Sequence, residues 1–264
     1  MSSSPRWHER KLLDGEWLRA DFGKISIVVH SILEEWRVAV VEGSDRDQLP
    51  AAEGPLPEDL DWHRWDRGAD DVKLRFRPVF PDHPIILRPR APFHLSPRAL
   101  ARFYVGIPAF IELSAHSEGE YTTLKSWPTQ RLSNTWHGTP LQGILCYAAR
   151  TRARREIVTD EWEAYDIACS IEISNQSSDT LDFERLFFDT DHLGIFEQGE
   201  QLWANHARIR VSDKETDLNR VVFASTPIGE AEKAVQLSAP RLGSARRSVF
   251  KKAFSTVIST FQDD

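Results

Sequence analysis

A chain of 264 residues, 41% hydrophobic and 28% charged, is long enough for one large β domain or two small ones with a real core. Its net charge of −7 disfavours nonspecific nucleic-acid binding. Two cysteines, Cys146 and Cys169, argue against a disulfide framework and fit a reducing, cytoplasmic setting; MSSSPRWHERKLLDGEW at the start has no apolar signal-peptide region, and no apolar run reaches the roughly 18–20 residues that cross a bilayer.

The β-branched runs Ile25–Val29 and Trp36–Val41, separated by SILEE, predict a hairpin or two sequential strands. Residues 44–71 are rich in proline and carboxylates and read as a surface loop with an aromatic anchor at Trp62 and Trp65. Val72–Phe76 alternates: Val72, Leu74 and Phe76 face one way, while Lys73, Arg75 and Arg77 face the other, as in a half-buried strand with a basic outer face. Short strands are expected at Ile85–Leu87 and within Phe103–Leu113.

The stretch Leu132–Thr151 organises the middle of the chain. SNTWHGTP is turn-rich, and Ile144–Ala148 is an apolar run too short for a typical helix, which predicts a buried strand. Trp136 and Ile144–Tyr147 are therefore expected in the core. Farther on, Asp166–Ser174 alternates, and Leu181–Phe188, Ala207–Val211 and Arg220–Ala224 continue the β pattern. The expected fold is mostly β: an antiparallel β-sandwich over residues 1–243, as one large domain or two tightly packed lobes with a break near 125–131. From Ser244 onward apolar residues recur at helical spacing, predicting a C-terminal amphipathic α-helix over 244–264 that either closes the sandwich or serves as an interaction element.

Several stretches together resemble one family. LSNTWHGTP followed by GILCYAARTRAR, with WHRW at Trp62–Trp65, PVFPDHPIILRPRAPF at Pro78–Phe93, YVGIPAFIEL at Tyr104–Leu113 and SIEISNQSSDTLDFERLFF at Ser170–Phe188, is similar to the family called domain of unknown function 432. This chain has Ile144 where that pattern often carries an acidic residue, so no role for such a carboxylate transfers. The resemblance implies a mostly β protein, no established activity and no catalytic residues. It also points to a small-conductance mechanosensitive channel as a partner.

Standard catalytic signatures are absent: no GxGxxG, Walker A loop, HExxH or GxSxG is present. Asp189, Asp191 and His192 have the spacing of a small metal cluster, but solvated loop aspartates explain them better. His137 with Cys146 could form a nucleophile–base pair, yet Cys146 lies in an apolar run where burial makes a thiol inert. No cofactor and no metal are expected. Charge is the most distinctive feature: between Lys73 and Arg102 seven cations stand against the single carboxylate Asp82. Arg150, Arg152 and Arg154 follow at strand period, then Arg155, and Arg246, Arg247, Lys251 and Lys252 recur near the end. Arginine's planar fork suits phosphate and carboxylate. The candidate binding residues are Lys73, Arg75, Arg77, Arg88, Arg90, Arg150, Arg152, Arg154, Trp136 and His137. The expected function is a non-enzymatic binding or accessory module at the cytoplasmic face of a membrane, engaging a protein such as a mechanosensitive channel or an anionic surface. The alternatives are a hydrolase using His137 or Asp189, Asp191 and His192, and a carbohydrate or small-ligand binder using exposed tryptophans.

Overall fold

The computed structural model describes residues 5–51, 54–68, 71–156, 162–212, 220–231, 233–242 and 248–249. Its regular elements are almost all strands, numbered β1–β21 in chain order. The chain divides into two compact units that alternate along the sequence: Met1–Phe80, Pro108–Arg131 and Trp162–Asp166 form unit 1, and Pro81–Ile107, Leu132–Glu161 and Ile167–Asp264 form unit 2.

Unit 1 opens with an antiparallel meander, β1 (Trp17–Phe22), β2 (Ile25–Ile32), β3 (Glu35–Glu42) and β4 (His63–Asp66). The expected hairpin is β2–β3, closed by Leu33 and Glu34 between the Ile32↔Glu35 pair, with Leu33 at φ +55°. Segment 44–71 is more than a loop. Its residues 63–66 pair with β3, placing Trp65 opposite Trp36, and Leu56, Leu60 and Trp62 pack against the buried Val28, Val41 and Leu49. A second sheet in the order β10–β9–β5 uses β5 (Lys73–Val79), β9 (Phe110–Ser117) and β10 (Glu120–Pro128). The alternation read in β5 holds: Leu74 and Phe76 are buried while Lys73 is exposed. Phe22 and Phe76 meet with ring centroids 5.2 Å apart, and Trp7 and Tyr165 close round Phe22 at 5.9 and 5.5 Å.

Unit 2 holds a four-stranded sheet in the order β11–β12–β6–β15, from β6 (Ile85–Pro89), β11 (Ser133–Gly138), β12 (Gly143–Thr151) and β15 (Leu186–Phe188). A larger sheet runs β20–β16–β17–β13–β18–β19–β21, with β8 (Leu100–Pro108) also on β13 (Asp166–Asn175). Its other members are β16 (Ile195–Gln198), β17 (Gln201–Ala204), β18 (Ala207–Val211), β19 (Arg220–Phe223), β20 (Val235–Ser238) and β21 (Ser248–Val249). β7 (Phe93–Leu95) and β14 (Leu181–Phe183) form a small ribbon whose Phe93 and Phe183 stack at 4.5 Å. Most ladders are antiparallel, but β12–β6, β13–β17 and β13–β18 run parallel. β13 fits a strand covered on both sides, since its residues from Ile167 to Ile171 are all buried.

Of the predicted C-terminal helix, only Ser248–Val249 falls within the described residues. Those two positions are corrected to a strand: Val249 pairs with Arg220 and Ser248 with Val221. The rest of 244–264 lies outside the described residues, as do Arg246, Arg247, Lys251 and Lys252. Among the described residues no helix is long and apolar enough to cross a membrane.

Candidate anion-binding face

The predicted basic residues fall into two groups with different electrostatic fates. Those on β5 belong to unit 1, and each has an intramolecular partner there. Arg77 Nε donates to Glu112 Oε1 at 2.6 Å, and Glu112 is itself only 8% exposed. The Arg75 guanidinium lies 3.5 Å above the Tyr121 ring. Lys73 Nζ stands 3.7 Å from Glu9, whose carboxylate also accepts from Tyr121 Oη and lies 2.8 Å from His116 Nδ1. The Tyr121 hydrogen bond, helped by His116 and Lys73, holds the Glu9 carboxyl below its ordinary value.

The second group lies in unit 2, where β12 runs parallel to β6. The register makes Arg150 the direct partner of Arg88. Arg90 extends the ladder beyond β6 by donating its backbone N–H to Thr151 O at 2.9 Å. Side chains two residues apart share a face, and neighbouring strands are about 4.8 Å apart. Arg88, Arg90 and Arg150 thus crowd one face, with Arg152 next at the strand period, and all four are exposed. Among the described residues, Arg88, Arg90 and Arg150 have no carboxylate partner. Like charges directly opposite on adjacent strands oppose each other, so this pairing persists against its own electrostatics. Arg154 leaves the array: its backbone bridges to Tyr104 on β8 by reciprocal bonds of 2.6 and 3.1 Å.

Trp136 and His137 lie on β11, which is a strand where a turn-rich segment was expected; the turn itself is confined to Thr139–Gln142. The core assignment of this hairpin is corrected. Trp136 is 51% exposed, Ile144 45% and Leu145 42%, while Cys146 is fully buried. β11 ends its sheet, and among the described residues no further strand pairs beyond it. Trp136 folds back on its own hairpin, with Nε1–H donating to Thr139 O at 2.9 Å and the indole over Gly143. His137 stacks on Phe187 at 4.5 Å. Burial pushes the Cys146 thiol up to about 11, the opposite of what a nucleophile needs.

Asp189, Asp191 and His192 form a structural corner. The Asp189 carboxylate accepts from Asp191 N as the cap of a single 3₁₀ turn, Asp191 pairs with Arg241 at 2.6 Å, and His192 stacks near Phe223. Among the described residues no group of three His, Cys, Asp or Glu side chains is placed to hold a metal ion. Sequence reasoning missed one feature of unit 1, a cleft of about 600 Å³ lined in part by Glu42, Asp45, Asp59, Asp61, Trp127 and Arg131. Asp45, Asp59 and Asp61 come from the irregular 44–71 segment, where no periodicity marks a face, and Glu42 ends β3.

A family model described as Protein of unknown function (DUF432) matches residues 6–259. No curated protein matches the chain, and no solved structure does.

Proposed function

We propose, from the premise that the chain belongs to this family of unknown function, that it is a non-enzymatic binding module whose ligand presents closely spaced anionic oxygens. The carrying observation is the Arg88↔Arg150 pair, extended by Arg90 and exposed without a carboxylate partner among the described residues. Guanidinium groups on adjacent strands match two phosphoryl or carboxylate groups roughly 5 Å apart, and a bound anion relieves the repulsion between them. The finer form of the reading is attachment to the anionic cytoplasmic face of a membrane, beside a channel of the mechanosensitive kind. Each Lys or Arg near such a surface contributes about 1 kcal/mol, so three or four give reversible, salt-sensitive attachment.

Cosedimentation with phosphatidylserine-containing vesicles at low salt tests this. The parent chain is expected to bind, to release as salt rises, and to ignore neutral phosphatidylcholine vesicles. Arg88→Gln with Arg150→Gln should weaken binding by at least tenfold. Equal binding of parent and double variant removes the reading. Calorimetric titration with tripolyphosphate separates a lipid surface from a free polyphosphate: tripolyphosphate binding without vesicle binding assigns the face to a soluble anion.

A further inference from the structure

The edge of the unit 2 sheet supports a second inference, independent of the arginines. β11 is the terminal strand, and the register of its hairpin fixes which backbone groups point outward. Thr139 and Gln142 exchange both backbone hydrogen bonds, N–H of each to C=O of the other, at 3.2 Å. Bonded and non-bonded pairs alternate along an antiparallel ladder. Gly138↔Gly143 is therefore non-bonded, His137↔Ile144 bonded, Trp136↔Leu145 non-bonded, Thr135↔Cys146 bonded and Asn134↔Tyr147 non-bonded. The bond from Tyr147 N to Pro84 O at 2.8 Å, which points away from β11, agrees with this phase. Asn134, Trp136 and Gly138 thus turn both N–H and C=O to the open edge. No backbone partner meets them among the described residues.

Natural sheets protect such edges with lysine, proline, inward charges or a covering element. Ser133–Gly138 has no charged residue and no proline. Around it stand exposed apolar side chains, Trp136 at 51%, Leu145 at 42% and Leu141 at 96%. We propose that β11 pairs antiparallel with β11 of a second copy of this chain, across a two-fold axis at Trp136. Three facts favour a second copy over an unrelated strand. The outward residues are spaced symmetrically about Trp136, so Trp136 meets Trp136 of the second copy while Asn134 meets Gly138, and every outward group is used. The strand is uncharged, so self-pairing meets no like-charge opposition. Trp136 and Leu145 share a face, so the two-fold brings both pairs together in one apolar patch at the centre of the joint.

One strand pair with three large apolar side chains per copy falls short of the roughly 1,600 Å² of a standard interface, so dimerisation is expected in the micromolar range. Sedimentation velocity of the full chain from about 1 to 200 μM tests it. The parent should pass from monomer to dimer across that range. Asn134→Pro deletes one outward N–H and no inward ladder bond, and Trp136→Lys sets charge against charge at the axis. Both variants should remain monomeric at the highest concentration with the parent's circular dichroism and melting temperature. Should Asn134→Pro fail to fold, Trp136→Lys alone decides. A parent that stays monomeric throughout, or a dimer that survives Trp136→Lys, overturns the proposal. Arg88→Gln with Arg150→Gln should leave the dimer intact; its loss there would move the interface to the arginine face and overturn the β11 pairing.

Discussion

Arg88 and Arg150 are direct partners across the parallel β6–β12 ladder, two exposed guanidinium side chains where a cross-strand pair usually joins unlike charges. Replacing Arg150 with glutamate should stabilise unit 2 by roughly 0.2–1 kcal/mol, because the repulsive pair becomes an attractive one. Urea unfolding at low salt measures this, and the gain should shrink as salt rises.

Arg77 on β5 behaves in the opposite way. Arg77 is the ion-pair partner of a nearly buried Glu112 at 2.6 Å. Arg77→Ala leaves that carboxylate without its cation and should cost about 3 kcal/mol near neutral pH. Arg77→Ala with Glu112→Gln should recover part of the loss, which a double-mutant unfolding cycle reads directly.

The β2–β3 turn carries removable strain. Leu33 is 71% exposed and holds φ +55°, a conformation that costs a branched side chain and suits glycine. Leu33→Gly should leave the hairpin in place and stabilise the protein by about 0.5–1 kcal/mol, seen as a higher midpoint in urea.

Asp166 gives unit 1 a pH dependence. Burial, reinforced by the nearby Glu163 carboxylate, raises its carboxyl to about 7. The folded state therefore holds a proton that the unfolded chain releases near pH 4. Its contribution is fully present below about pH 4 and is lost as pH rises through 7. At 1.36 kcal/mol per unit the loss is at most about 4 kcal/mol, and solvent screening makes it smaller. Unfolding free energies at pH 5 and pH 8 should differ in that direction, and Asp166→Asn should flatten the difference.

Both cysteines should resist modification. Neither Cys146 nor Cys169 is in a disulfide, both are fully buried, and burial pushes Cys146 up to about 11. A thiol reagent at pH 7.5 should label neither until denaturant is added; native labelling of Cys146 within minutes would show that the β11–β12 hairpin opens.

Sequence alone determined what depends on near neighbours. The alternation of Lys73, Leu74, Arg75, Phe76 and Arg77 set which side of β5 faces solvent, because strand periodicity is a local property of the backbone. The apolar run after Gly143 marked a strand for the same reason. Tertiary structure decided everything that needed a partner from elsewhere in the chain. Glu9 and Glu112 reach β5 through the fold and pair with Lys73 and Arg77, while the β12–β6 register sets Arg150 against Arg88 with no carboxylate partner among the described residues. Position in the sheet decided the fate of Trp136: it has the composition of a core residue, but β11 is an edge strand, and only a neighbouring strand or layer can bury what an edge presents.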